Sequence, residues 1–336
     1  MIKQFLVIFI FILSMLSVGC AYQEQQRTKA GNAAPIVIEN FDGYAGGGRK
    51  IAQVFYAVPQ RVFATSEAVV DDLIFLGVQD KICAVSECYS KSFAPYDVEY
   101  AKLRRLTQGA GYPSKEAVLD LHPDLIVSWG SLFGDSALGS VEYWHNKGIH
   151  TYVMTNTVPT RATGRRKVEY IVSDLQQLAK IFRVEEKAQK KIADLQSRIA
   201  KLRMHSKSIA EAKKPKVITL QYLYGNEYFG RTANDLTADM IELAGGISLD
   251  DNLGGRKSVE YLVELDPDMI IVIDTATTPV AGKIKALREH KVLKKIKAVR
   301  NNKIFVVPHR AFYCGSERTV EAVENMHKYI EDNFKL

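Results

Sequence analysis

The sequence predicts an α/β protein of two lobes of similar plan joined by one long backbone helix. Three observations carry this. A helix-then-strand unit occurs twice at a constant offset. Continuous apolar runs follow each copy. A long stretch free of Gly and Pro separates the halves. The 336 residues are enough for two folding units, and 47% apolar with 25% charged is ordinary globular composition.

The repeat is the firmest of the three. Ser114-Lys-Glu116-Ala-Val-Leu-Asp-Leu121-His-Pro123-Asp124-Leu-Ile126-Val recurs as Ser258-Val-Glu260-Tyr-Leu-Val-Glu-Leu265-Asp-Pro267-Asp268-Met-Ile270-Ile. Ser114 and Ser258 suit an N-cap, and Glu116 and Glu260 fall in the first turn, where the helix dipole favours an anion. Pro-Asp stops each helix, and the apolar run after it reads as a buried parallel strand.

In chain order, residues 36–165 make the first lobe. Arg61 to Ser66 is a strand, Asp71 to Leu76 a helix ending at Gly77, and Lys81 to Ser86 a strand. After the shared unit, Tyr143 to Lys147 is helical with Gly148 as cap, and Thr151 to Met154 is a strand. Residues 166–213 form the helical linker. Ala188, Ile192, Leu195, Ile199 and Leu202 are spaced four, three, four, three, so they make one apolar stripe. Some twenty-five helical residues would span about 37 Å, which describes a stiff strut limiting hinge motion. The stripe is too short for a coiled-coil dimer, so a monomer is expected.

Residues 214–336 make the second lobe. Lys216 to Gln221 is a strand, and a helix from Asn234 ends at Gly245-Gly246. Lys303 to Pro308 is the last strand, and a helix begins at Ser316.

The N-terminus reads as an address. Lys3 precedes an apolar stretch, Phe5 to Val18, relieved only by Ser14 and Ser17. It is short for a bilayer span and right for a signal peptide, assigned to residues 1–19. Ser17-Val18-Gly19-Cys20 resembles the lipobox of bacterial lipoproteins, with Ser17 where Leu is usual. The resemblance implies lipidation of Cys20 and anchorage to the outer face of the cell membrane. The alternative is an ordinary secretory signal with an incidental cysteine. Residues 20–35 are polar and read as a flexible tether. Cys83 and Cys88 suit either a bridge or two small buried side chains, with Cys314 left odd.

Beyond the N-terminus, the segment Arg61 to Val85, both Ser-x-Glu units, the strut and Asn302-Lys-Ile-Phe-Val-Val-Pro308 together resemble the substrate-binding lipoproteins of ABC importers. The specific class has a helical backbone and serves ferric siderophores, haem and cobalamin. The resemblance implies two doubly wound lobes facing each other across a cleft with the ligand held between them, and open α/β sheets independently place ligands beyond the carboxyl ends of their strands. Candidate ligand-binding residues are Tyr89, Tyr112, Trp129, Phe133 and Arg161 in the first lobe. Tyr222, Tyr224, Tyr228, Arg231, His309, Arg310 and Tyr313 are those of the second. Arg165 and Arg166 lie near the exit to the strut.

Aromatic faces would cover the organic shell of a chelate, and Arg would pair with its oxygens. A ferric siderophore is the expected ligand, with haem or cobalamin as variants and His309 or a tyrosine as a haem axial ligand. The resemblance also implies that Glu116 and Glu260 dock onto arginines of a permease dimer. The alternative role for each glutamate is stabilising its own helix.

No Gly-x-Ser-x-Gly, His-Glu-x-x-His, Walker loop or C-x-x-C pair occurs, so an enzyme is not expected and no metal site can be assembled from spacing. The rival from the enzyme class is an envelope α/β enzyme acting on an anionic small molecule. The +7 charge is scattered without a block of like charges, which argues against a nucleic-acid protein or a basic adhesin.

Overall fold

The computed structural model describes residues 34–90, 92–106 and 112–336. The signal peptide, Cys20 and nearly all of the tether lie outside the described residues. No helix among the described residues is long and apolar enough to cross a membrane.

The chain enters through an antiparallel hairpin, β1 (Ile36–Phe41) and β2 (Lys50–Phe55), which the sequence reading did not foresee. The first lobe follows on four parallel strands, β3 (Val62–Ser66), β4 (Ile82–Glu87), β5 (Leu125–Ser128) and β6 (His150–Val153), in the order β4-β3-β5-β6. Every residue of β3 and β5 is buried, as central parallel strands covered on both faces require. The hairpin joins the β6 edge through side-chain amides that copy a peptide group. Asn40 brackets Val153 and Gln53 brackets Thr151, each donating and accepting one bond.

Helix α1 (Glu67–Leu76) leaves β3 four residues earlier than predicted and stops at Gly77, whose φ of 75° is the left-handed cap expected there. The early start was hidden because α1 buries Glu67, Asp71 and Asp72, which a sequence reading places in solvent. Helices α2 (Lys115–Leu119) and α3 (Val141–His145) are capped by Ser114 and Ser140, whose hydroxyls each accept a first-turn N–H at 3.2 Å.

The linker holds the expected backbone helix, α5 (Glu185–Ser208), preceded by a second helix, α4 (Glu169–Phe182), from which it is separated where Arg183 adopts φ 55°. They run antiparallel: Arg203, near the end of α5, pairs with Glu169 at the start of α4 at 2.7 Å. The 24 residues of α5 span about 36 Å, and the whole predicted stripe from Ala188 to Leu202 is buried.

In the second lobe the order is β7 (Lys216–Tyr224), β8 (Glu227–Gly230), α6 (Leu236–Leu243), β9 (Ile247–Ser248), β10 (Gly255–Ser258), α7 (Val259–Leu265), β11 (Met269–Asp274), α8 (Val280–Glu289), β12 (Ile304–Pro308) and α9 (Glu317–Asn333). Its sheet runs β10-β8-β7-β11-β12, with β9 beside β7. Strands β7, β9, β11 and β12 are parallel, but β8 runs antiparallel to both its neighbours, β7 and β10, so this lobe is mixed rather than doubly wound throughout. The aromatic segment Gln221 to Arg231 is mostly a hairpin turning at Gly225-Asn226.

The repeat survives as structure. Asp124 accepts the backbone N–H groups of Gln60 and Arg61 before β3, and Asp268 accepts that of Lys216 at the start of β7. His122 and Asp266 occupy matched positions with φ of 48° and 38°, an uncommon conformation for either residue.

Strand β11 splits its side chains between two cores. Met269, Ile271 and Ile273 join the main core, which is shared with the first lobe, the strut and α9. Ile270 and Val272 pack in a smaller core that includes Leu287 of α8. Helix α9 reaches across to the first lobe, where the Asp72 carboxylate of α1 accepts the Glu317 N–H at 2.9 Å. The strut is therefore not the sole tie between the lobes.

Candidate functional site

The two lobes present their strand C-termini to each other. Tyr89, after β4, accepts the Ala276 N–H, after β11, at 2.5 Å. The Tyr89 ring also lies 4.4 Å from His309, after β12. Trp129, after β5, meets Tyr313 at 4.6 Å, and His309 and Tyr313 are parallel to within 7°. A wall of rings thus crosses the junction, built from loops that follow strand ends in both lobes. Arg231 lies over this wall, its guanidinium carbon 5.4 Å from the Phe312 ring and 5.5 Å from Tyr313.

Tyr222 and Tyr224 stack at 5.8 Å on the β7 side of the hairpin, with Phe229 edge-on to Tyr222. Lys283 of α8 was not among the predicted residues. Its ammonium sits 5.3 Å above the Tyr222 ring and donates to the Ile273 carbonyl at 2.5 Å. Burial pushes it down to about 8, against the pull of Asp274. One signal was present in the sequence: Lys283 stands four residues before Leu287, on the face of α8 that is buried.

Other predicted residues take different places. Tyr228 and Phe133 are core residues, 1% and 0% exposed, so neither is available to a ligand. Strand alternation explains Tyr228, since β8 turns alternate side chains inward. Arg310 is buried in the lobe contact, where it faces Asp71 at 3.5 Å and donates to the Ala94 carbonyl. Arg165 binds Glu242 through two 2.8 Å bonds, and Arg166 binds Asp235 at 2.5 Å, so both stitch the lobes together. His309 is buried among rings, with Nδ1 3.5 Å from Glu67, a poor position for an axial ligand. Arg161 is exposed beside the turn that joins β1 and β2. Tyr112 is exposed and adjoins residues 107–111, which lie outside the described residues. Cys83 is a half-buried free thiol, so it forms no bridge with Cys88.

Beneath the ring wall lies a set of buried acids on α1. Glu67 accepts the N–H groups of Tyr89 and Ser90 and the Ser90 hydroxyl, fixing the β4 loop. Asp71 is pushed up to about 8 because burial outweighs the attraction of Arg310, with Glu317, Glu67 and the Tyr100 hydroxyl also facing it. Asp72 is raised by burial and by Glu317, and Glu317 itself rises to about 7 by burial. Around Asp71 the lobe contact is made by acids that burial raises and by Arg310, while the ion pairs Arg165–Glu242 and Arg166–Asp235 tie the lobes elsewhere.

Glu116 and Glu260 are exposed at equivalent helix N-termini, one on each lobe. Backbone and Ser114 hydrogen bonds hold the Glu116 carboxyl below its usual range.

A family model described as periplasmic binding protein matches residues 62–311. The chain is 22% identical over 342 residues to the petrobactin-binding protein of Bacillus subtilis (strain 168), with 99% of each chain covered. Two solved structures share the fold. A periplasmic binding protein from Veillonella parvula DSM 2008 aligns with a TM-score of 0.74 at 22% identity, covering 89% of this chain and 92% of that one. An Fe3+-hydroxamate transport-system protein from Saccharomonospora viridis DSM 43017 aligns with a TM-score of 0.72 at 19% identity, covering 89% and 99%. The residues matched include both lobes and the strut between them, and the chain belongs to the periplasmic binding protein family.

Proposed function

We propose that this chain is a lipid-anchored receptor that captures a ferric siderophore between its lobes and delivers it to an ABC permease dimer. The observation that carries the reading is the ring wall of Tyr89, Trp129 and Tyr313, assembled from strand-end loops of both lobes. Flat aromatic faces suit the organic shell of a chelate, Lys283 and the exposed Arg161 are the cations set to meet its anionic oxygens, and Arg231 is already paired with Asp235 at 3.1 Å. The names of relatives with iron-chelate ligands agree with that chemistry. Glu116 and Glu260, exposed on matched turns of two similar lobes, suit a two-fold permease surface. Lipidation at Cys20 would hold the receptor at the membrane, and Cys20→Ser should release the chain into the soluble fraction.

The test is a fluorescence titration against ferric hydroxamate, catecholate and citrate chelates, haem and cobalamin. Of the two tryptophans, Trp144 is sealed in the first-lobe core and Trp129 stands in the wall. One ferric chelate should quench Trp129 saturably at one per chain and be recovered unchanged, and Trp129→Phe should remove most of the quench. Haem or cobalamin as the sole quencher would replace the siderophore, and chemical conversion of the ligand would favour the envelope enzyme.

A further inference from the structure

We infer that His205, His327 and Glu331 form a binding site for a divalent transition-metal ion, zinc by the chemistry of its donors, which pins the strut to the last helix of the second lobe. The site shares no residue with the ring wall. His205 lies in the last turn of α5, and His327 and Glu331 lie one turn apart on α9. One donor atom from each falls within 4.8 Å of the other two. Both Nε2 atoms face the same Glu331 oxygen, each at 3.5 Å. Charge-assisted hydrogen bonds close to about 2.7–2.9 Å, so this spacing is long for a direct imidazolium–carboxylate bond. It is near the edge of a zinc tetrahedron, which is about 3.3 Å for bonds of about 2.0–2.1 Å.

The tautomer of His327 gives an independent argument. Its Nδ1 lies 3.0 Å from the Ala244 carbonyl, and a carbonyl can only accept, so Nδ1 carries the hydrogen. In the tautomer with only that hydrogen, Nε2 turns its lone pair toward the Glu331 oxygen at 3.5 Å, so both atoms can face one cation. A backbone carbonyl on the far ring nitrogen is also the support that metal-bound histidines ordinarily have. His205 and His327 meet edge-on, with ring centres 4.6 Å apart, as two ligands of one ion can. The His205 and Glu331 side chains are 44% and 46% exposed, so an ion can enter and keep water on its open positions. Ala244 closes α6, so the ion would couple three helices.

The experiment uses the full-length chain in detergent, stripped with a chelator and titrated with CoCl2 and then ZnCl2. Cobalt should give visible ligand-field bands that zinc abolishes, and equilibrium dialysis should retain one zinc per chain. His205→Gln and Glu331→Gln should each weaken retention at least tenfold and remove the zinc-induced rise in Tm. Both side chains are nearly half exposed, so the metal-free variants should melt close to the wild type. A Cys20→Ser/Cys83→Ser/Cys88→Ser variant should bind as the wild type does. Absence of cobalt bands and of retained zinc would overturn the proposal. So would retention that survives both the His205 and Glu331 changes or disappears with the cysteines.

Discussion

Replacing Asp71 by Asn should reduce the fall in stability between pH 6.5 and 8, with Glu317, also raised to about 7, supplying part of what remains. In the wild type this carboxyl is buried between the lobes and is raised from 3.8 to about 8. The unfolded chain has already released the proton by pH 6.5, while the folded chain holds it until about 8. Stability from this group is therefore complete below pH 3.8 and is lost as pH rises to about 8. At about 1.4 kcal/mol per pH unit, the loss from pH 6.5 to 8 is about 2 kcal/mol. His150, pushed down to about 4 by burial, acts with the opposite sign, but its penalty grows only below its ordinary value of 6.5. Asn keeps an acceptor for the Tyr100 hydroxyl and for Arg310, which meet Asp71 Oδ1 at 3.0 and 3.5 Å. Urea unfolding at fixed pH steps gives both curves. Parallel curves for wild type and Asp71→Asn over this window would show that Asp71 is ionised in the fold, and would refute the account of the contact around Asp71 as acids that burial raises.

The strut, the site and the docking glutamates give three more tests. Leu195→Ala, at a buried point of the α5 stripe, should lower unfolding free energy by about 2–5 kcal/mol; a loss under about 1 kcal/mol would mean that the strut carries little of the core. Lys283→Met should weaken an anionic chelate about tenfold. Wild-type affinity should also fall as pH rises past about 8, where Lys283 loses its charge, whereas the variant should show no such fall. Unchanged affinity in Lys283→Met would remove Lys283 from the site. Charge reversal at both Glu116 and Glu260 should abolish uptake in cells with ligand affinity unchanged, because both side chains are exposed. Lost affinity would count against a docking role.

The parallel strands and their order along the chain were legible because buried central strands are unbroken apolar runs, and Pro-Asp marks where two of them begin. The stripe of α5 was legible because helical spacing repeats over four turns. What escaped was set by tertiary context. Glu67 is a buried acid satisfied by the Tyr89–Ser90 loop, and Asp71 and Asp72 are buried acids that meet the other lobe, so their polarity concealed the start of α1. Arg310, Arg165 and Arg166 looked like anion receptors, yet their partners Asp71, Glu242 and Asp235 are distant in sequence. Tyr228 was indistinguishable by composition from Tyr222 and Tyr224; only the pairing of β7 with β8 decides which ring turns inward. Similarly, the His327–Glu331 spacing was visible, but nothing local placed His205 against it.

Hydrogen exchange of the receptor with and without its ferric chelate bears most directly on capture between the lobes. Protection should rise together in the loops after β4 and β5 of the first lobe and after β11 and β12 of the second, around Tyr89, Trp129, Ala276 and Tyr313. Protection confined to one lobe, or falling on the outer helices instead, would contradict binding across the junction.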